Sequence, residues 1–186
     1  MIPATLESDQ GATTDPADVV IRGQVTGNAK FEVVVSGDKG LISLGGRLLD
    51  PGSLKNPLRF SIQVKIPNAY PYEKGDADRK QQKAFEDKAR GDRLQLTWTN
   101  GKRVKQSTSE AVDAASDDLN GPGIAAAQIE FSSYQDNRIE VSASGNSVMK
   151  LSNARKEPLN AGFLVTWSAD PAKDPEGKAR LNLEVK

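Results

Sequence analysis

The chain has 186 residues and a formal net charge of zero, because 25 lysine and arginine residues balance 25 aspartate and glutamate residues. It contains neither cysteine nor histidine. This composition excludes disulfides, catalysis by Ser-His-Asp or Cys-His groups, and zinc sites built from cysteine and histidine. The balanced charge also argues against a dedicated nucleic-acid binder, which is usually strongly basic.

The length fits one domain with a real core, and the modest apolar content of 37% favours the thin core of a β-sandwich or barrel. No run of about 18 apolar residues is present, so we expect no membrane-spanning helix. The first ten residues lack the basic and apolar regions of a signal peptide. We therefore expect a protein kept inside a cell or in a virion, or a secreted one whose leader was removed.

The polar, unpatterned residues 1–17 predict a flexible N-terminal arm, and residues 18–186 predict a single domain. β-branched runs at 19–25 and 31–35 are separated by Thr-Gly-Asn, which predicts a hairpin. A strand is predicted over 41–48, and its Gly45-Gly46 pair predicts a bulge or a sharp bend.

The clearest alternation of apolar and polar residues runs from Leu58 to Ile66 and predicts a half-buried strand that ends at Pro67. One surface α-helix is predicted over 76–90. Acidic residues lie at its start and basic residues at its end, and Gly91 follows as a C-terminal cap.

Residues 94–99 and 102–106 predict a second hairpin. Asn100-Gly101 lies between them, a pair typical of two-residue turns in which both positions have a positive φ. Further strands are predicted over 124–131, 138–143, 148–151, 163–167 and 181–185. Short strands that do not alternate with helices predict a mainly β chain, an antiparallel β-sandwich of jelly-roll or immunoglobulin-like type.

A basic and aromatic surface is the first candidate site. Its predicted ligand-binding residues are Tyr70, Tyr72, Lys74, Lys102, Arg103 and Lys105. Cations interleaved with aromatic rings hold single-stranded nucleic acid on oligonucleotide-binding (OB) barrels. The alternative is that these cations protect an edge strand from aggregation, and that nearby Trp98 belongs to the core.

Exposed tyrosines suggest a second binding chemistry. Tyr70, Tyr72 and Tyr134 fall in predicted loops, where a ring could stack on a sugar. A carbohydrate-binding domain is therefore a further alternative, although both tryptophans have the pattern of core residues.

An acidic loop gives a candidate calcium site at Asp118 and Asn120, which match two ligand positions of a calcium-binding loop. Ser116 and Ala127 stand where that loop needs acidic ligands, so a solvated turn is the competing interpretation. The acidic residues between 170 and 176 are interrupted by Pro171 and Pro175, which favours ordinary loop chemistry.

A carboxylate pair for glycoside hydrolysis would need two acids across a cleft, and Glu130 and Glu140 lie on predicted neighbouring strands. A solvent-facing strand surface offers such a pair by chance. No phosphate-binding loop, dinucleotide fingerprint or nucleophile elbow is present. We assign no catalytic residue and no cofactor, and predict that the chain is not an enzyme.

The sequence thus favours a non-enzymatic structural or interaction module acting by surface contact, such as a virion or extracytoplasmic assembly component. A protein partner or self-association is the expected contact. A single-stranded nucleic-acid-binding OB-like barrel is the main alternative, and a carbohydrate-binding domain is the second.

Overall fold

A computed structural model describes residues 5–7, 18–56, 58–67, 83, 87, 91–107, 123–131, 137–144, 146–153 and 162–186. These residues are mainly β structure, as predicted, with 68% in strands and 4% helical. In chain order the strands are β1 Thr5–Glu7, β2 Asp18–Val25, β3 Ala29–Asp38, β4 Leu41–Asp50, β5 Ile62–Pro67, β6 Arg93–Trp98, β7 Arg103–Ser107, β8 Ile124–Phe131, β9 Asn137–Ser144, β10 Ser147–Asn153, β11 Gly162–Ala169 and β12 Arg180–Val185.

All of these strands belong to one antiparallel sheet, which confirms the antiparallel prediction. From one edge the order is β1-β2-β3-β4-β12-β9-β8, and the path continues through β10 and β11 to β5. The sheet branches at β8, which pairs with β9 on one side and with the β6–β7 hairpin on the other. Only one residue pair, Met149 with Ile124, links β10 to β8.

The sheet curls into a half-barrel, and the predicted two-sheet sandwich is not confirmed. Local alternation distinguishes the two faces of a strand, but it does not say whether neighbouring strands share one sheet or form two. Among the described residues, the pair Met149–Ile124 is the one link between β10, β11 and β5 and the rest of the sheet. Ile124 is completely buried and also pairs with Trp98, so the branch point lies inside the core.

The core consists of apolar side chains that alternate with outward-facing polar ones along each strand. Leu94 and Leu96 of β6 are buried, whereas Arg93, the residue before Leu94, is exposed. The largest completely buried side chain is Trp167 of β11. The buried cluster draws on Ile66, Leu94, Leu96, Ile124, Ala127, Ile129, Val141, Met149, Leu151, Phe163, Val165, Trp167, Ala179 and Leu181.

The prediction of a bulge at Gly45-Gly46 is wrong. Both glycines pair in regular register with Val34 and Val33, and the β3–β4 irregularity lies instead between Lys30 and Phe31. The glycine pair provides space. A Cβ on Gly46 would lie 2.5 Å from the ring of Phe60, the residue that brings the chain toward β5.

Two other predicted features fall largely outside the described residues. Of the predicted helix over 76–90, only Lys83 and Asp87 are described; both are helical and exposed, and no continuous surface helix is seen among the described residues. Within the predicted arm, Thr5–Glu7 is described as β1, which pairs with residues 22–24 of β2. The remaining positions of both segments lie outside the described residues, so the flexible arm and the single-domain boundary stay predictions.

Candidate binding surface

The β6–β7 hairpin carries the three candidate cations that the structure describes. The predicted hairpin is present, but its turn differs from the prediction. Gly101 has a φ of +83°, whereas Asn100 is not in the positive-φ region. The N–H of Gly101 donates to the carbonyl of Trp98, and the N–H of Trp98 donates to the carbonyl of Lys102. This is a three-residue loop with one left-handed residue, rather than the two-residue turn expected for Asn-Gly.

Asn100 has a different role from the one expected, because its side chain stabilises the turn. Its Oδ1 accepts a hydrogen bond of 3.0 Å from the N–H of Lys102. The hydrogen-bonding side chain, rather than a positive φ, is therefore what Asn100 contributes here. The result is a defined turn that places Lys102 at the tip of the hairpin.

Lys102, Arg103 and Lys105 are all exposed, and the described residues provide none of them with an ion-pair partner. Arg103 and Lys105 lie on β7 opposite Thr97 and Gln95. The hairpin from 93 to 107 contains four cations and no acidic residue, although the whole chain is neutral. Positive charge is thus concentrated on one hairpin.

Trp98 does not join these cations as a stacking platform. Its side chain is half-buried and packs against the core cluster, as the core interpretation expected. Its buried Nε1 has no hydrogen-bond partner among the described residues. Tyr70, Tyr72 and Lys74, the other half of the predicted surface, lie outside the described residues, as does Tyr134.

The candidate calcium ligands Asp118 and Asn120 also lie outside the described residues. The second acidic stretch is described, and its carboxylates bind the backbone. The carboxylate of Asp174 accepts hydrogen bonds of 2.8 Å from the N–H groups of Lys178 and Ala179, and that of Asp170 accepts one from Ala172. Within the described ranges, no group of three acidic residues could hold a metal ion.

Glu176, in the same loop, pairs with Lys178. The hydrogen bond and the charge of this lysine lower the pKa of Glu176 and raise the pKa of Lys178. Both groups are fully exposed, so solvent screens the pair strongly. The loop is an ordinary capped turn, in keeping with its proline content.

Glu130 and Glu140 lie on neighbouring strands, as predicted, and both lie on the polar outer face. In register, Glu140 pairs with Gln128, and Glu130 is the next outward residue of β8. Glu130 accepts a hydrogen bond of 2.9 Å from the side chain of Gln128, and Glu140 forms an ion pair of 2.8 Å with Lys186. Each carboxylate has its own partner on an open strand surface.

Sequence reasoning missed a part of the core-facing side of the sheet that the described residues leave half exposed. Val19, Ile42 and Val185 are 53%, 50% and 62% exposed, and we call these three residues the apolar strip. Residues directly opposite in an antiparallel pair project to the same face. Val19 pairs with Val35, Val35 pairs with Leu44, and Leu44 pairs with buried Leu181. The strip therefore lies on the face of the sheet that carries the core elsewhere.

Comparisons of the chain with protein-family models, with curated proteins and with solved structures found no match. Within the described residues, no helix has the length and apolar character needed to cross a membrane.

Proposed function

We propose that this protein is a non-enzymatic structural or interaction module that acts by surface contact, with self-association as the first contact to test. The observation that carries the proposal is the apolar strip. Exposed apolar surface on the core-facing side of a sheet is a common property of protein contact sites, because covering it removes apolar area from water. Val19, Ile42 and Val185 have the orientation of core residues but are half or more exposed.

The surroundings of the two candidate catalytic glutamates support a binding role over a catalytic one. A catalytic pair of carboxylates usually faces across a cleft that holds the substrate. Glu130 and Glu140 instead lie on an outward-facing strand surface, where Glu130 accepts a hydrogen bond from Gln128 and Glu140 shares Lys186 with Glu184. The absence of histidine and cysteine from the sequence narrows the available catalytic chemistry further.

Light scattering coupled to size exclusion tests the proposal. We expect a defined oligomer that grows with protein concentration and dissociates in the double variant Ile42→Thr/Val185→Thr, which keeps the β-branched shape but adds polar groups. Leu164→Thr is the matched control, because Leu164 is 38% exposed and lies between buried Phe163 and Val165 on the other face of β11. A wild-type monomer throughout, or an oligomer unchanged by the double variant, would count against self-association at the strip.

Single-stranded nucleic-acid binding is the second candidate function, and the concentration of cations on the β6–β7 hairpin favours it. Phosphate contacts make such binding strongly salt-dependent. Retention on immobilised single-stranded DNA that falls with salt, and is lost on replacing Lys102, Arg103 and Lys105 by alanine, would support this candidate. If the triple variant is retained on the DNA as strongly as the wild type, the hairpin is not the binding site.

A two-sheet sandwich remains part of the proposal. The core cluster combines side chains of β6, β8, β9 and β12 with side chains of β5, β10 and β11, as a sandwich core would. A crystal structure in which β10 separates fully from β8 would support two packed sheets. Additional ladder pairs between β10 and β8 would support a barrel.

A further inference from the structure

Over Arg103–Lys105, the outer edge of β7 is open in the part of the chain that the structure describes. β7 pairs with β6 and with no other described strand. An open strand edge presents a row of backbone donors and acceptors that another extended chain can use. Which residues present these groups depends on the phase of the hydrogen-bond ladder.

The turn determines that phase. The hydrogen bond of 2.8 Å from the Trp98 N–H to the Lys102 carbonyl makes this opposed pair a hydrogen-bonded one. Hydrogen-bonded and non-hydrogen-bonded pairs alternate along an antiparallel ladder. Val104 therefore directs its backbone groups toward β6, whereas Arg103 and Lys105 direct theirs toward the open edge.

The side chains beside these backbone groups have a definite pattern. Arg103 and Lys105 are exposed on the outer face, and Val104 is half-buried on the face of Leu96. Residues directly opposite each other in a ladder are close enough for their side chains to interact. An added strand would place one residue beside each cation and an intervening residue beside the valine.

Charge determines which kind of strand can pair with the open edge of β7. Two copies of β7 in antiparallel register would bring cations of one copy beside cations of the other, and like charges directly opposite are destabilising. Lys102, Arg103 and Lys105 have no acidic residue of the hairpin beside them to offset that repulsion. An acidic strand would instead gain two opposite-charge pairs.

We propose that β7 binds an extended acidic segment of a partner protein by strand addition, with the pattern acidic–apolar–acidic facing Arg103, Val104 and Lys105. This inference rests on the proposed function, in that it assigns the surface contact to a partner class. The strand supplies ladder hydrogen bonds to Arg103 and Lys105, and its acidic side chains supply the specificity.

A fluorescent seven-residue peptide of alternating glutamate and valine, with blocked ends, tests the inference by anisotropy against the full chain. We expect saturable binding, and no binding of the corresponding lysine–valine peptide. N-methylation of the glutamates removes the donors that face β7 and should abolish binding. N-methylation of the valines changes only the other edge of the peptide and should leave binding in place.

Two variants of Lys105 distinguish the contribution of its charge to peptide binding from the contribution of its backbone N–H. Lys105→Ala removes one cation and keeps the outward N–H, whereas Lys105→Pro also removes that N–H and leaves the β6 side of the ladder intact. We expect Lys105→Pro to bind about five- to tenfold more weakly than Lys105→Ala, as expected for one lost ladder hydrogen bond. Arg103→Glu/Lys105→Glu should bind the lysine–valine peptide instead, and thermal unfolding of each variant verifies the fold.

Three results would overturn the inference: no peptide binding, equal binding of the glutamate-N-methylated peptide, or displacement of the peptide by an equally charged oligothymidylate that binds more tightly. The last result would favour the nucleic-acid candidate. If the peptide does not bind but the same preparations form oligomers that the Ile42→Thr/Val185→Thr variant loses, this inference fails and the proposed function stands.

Discussion

At the scale of single residues, Gly46 is where β4 and the approach to β5 come closest. A Cβ at this position would lie 2.5 Å from the Phe60 ring and 2.5 Å from the carbonyl oxygen of Glu32. The oxygen belongs to the neighbouring strand, so it cannot move without disturbing the ladder. The sequence flagged this glycine, but as a bend, because one sequence does not reveal which distant side chain needs the space.

We expect Gly46→Ala to destabilise the fold by about 1–3 kcal/mol, the usual cost of overpacking a filled site. Gly37→Ala is the matched control on the adjacent strand, because the nearest atom to its Cβ would be at 3.8 Å, an ordinary contact. Denaturant unfolding of both variants measures the difference. Equal stability of the two variants would mean that the Phe60 contact is looser than described.

Gly101 isolates the effect of backbone conformation. Its φ is +83°, and a Cβ would meet no atom within 4 Å. Gly101→Ala should therefore cost about 1 kcal/mol from the left-handed conformation alone, and Gly101→Asn should cost less, because asparagine tolerates this region. Thermal unfolding of both variants tests this order, and an alanine variant as stable as the wild type would contradict it.

At the scale of elements, β12 joins two parts of the sheet through its pairs with β4 and β9. In register, Glu184 of β12 lies directly opposite Glu140 of β9, a like-charge pair that would be unfavourable alone. Lys186 binds both carboxylates, at 2.8 Å and 3.0 Å. The hydrogen bond to Glu140, followed in size by the one to Glu184, raises the pKa of Lys186.

We expect Lys186→Met to lower the stability modestly at neutral pH, because it leaves the two glutamates without their shared cation. A lysine whose pKa is raised in the folded state contributes stability that is fully present below its unfolded pKa and is lost as pH rises through the folded pKa. The difference from wild type should therefore shrink in strong alkali. Urea unfolding as a function of pH measures it.

Lys55→Met serves as the control for this change. Lys55 is exposed, and no ion pair is described for it, so its replacement should have little effect at any pH. A deficit of Lys186→Met that stays constant through the alkaline range would show that the charge of Lys186 is not what stabilises β12.

The strands were largely predictable from the sequence, because their alternation reflects a local property. Leu94 and Leu96 alternate with polar residues, and both are buried on the predicted face. The candidate site was predictable only in part. The exposure of Lys102, Arg103 and Lys105 agrees with their pattern, but the open edge of β7 depends on which strands pair elsewhere, and alternation carries no information about pairing.

At the scale of the whole molecule, the strand order could not be read from the sequence. β12 lies between β4 and β9, and β8 lies between β9 and β6. Such pairings follow from how the faces pack in three dimensions. The apolar strip was missed for the same reason, because alternation identifies the core-facing side of β2, β4 and β12 without showing that nothing described covers its end.

The central position of β12 has a consequence for how the chain acquires this fold. β4 and β9 are synthesised well before β12, and each must wait with one unpaired edge until residues 180–185 leave the ribosome. Pairings between residues so far apart in sequence are slow to form, because a long loop must close first. During that interval the nascent chain presents two unpaired strand edges that the finished protein covers, and unpaired edges of this kind are prone to aggregation.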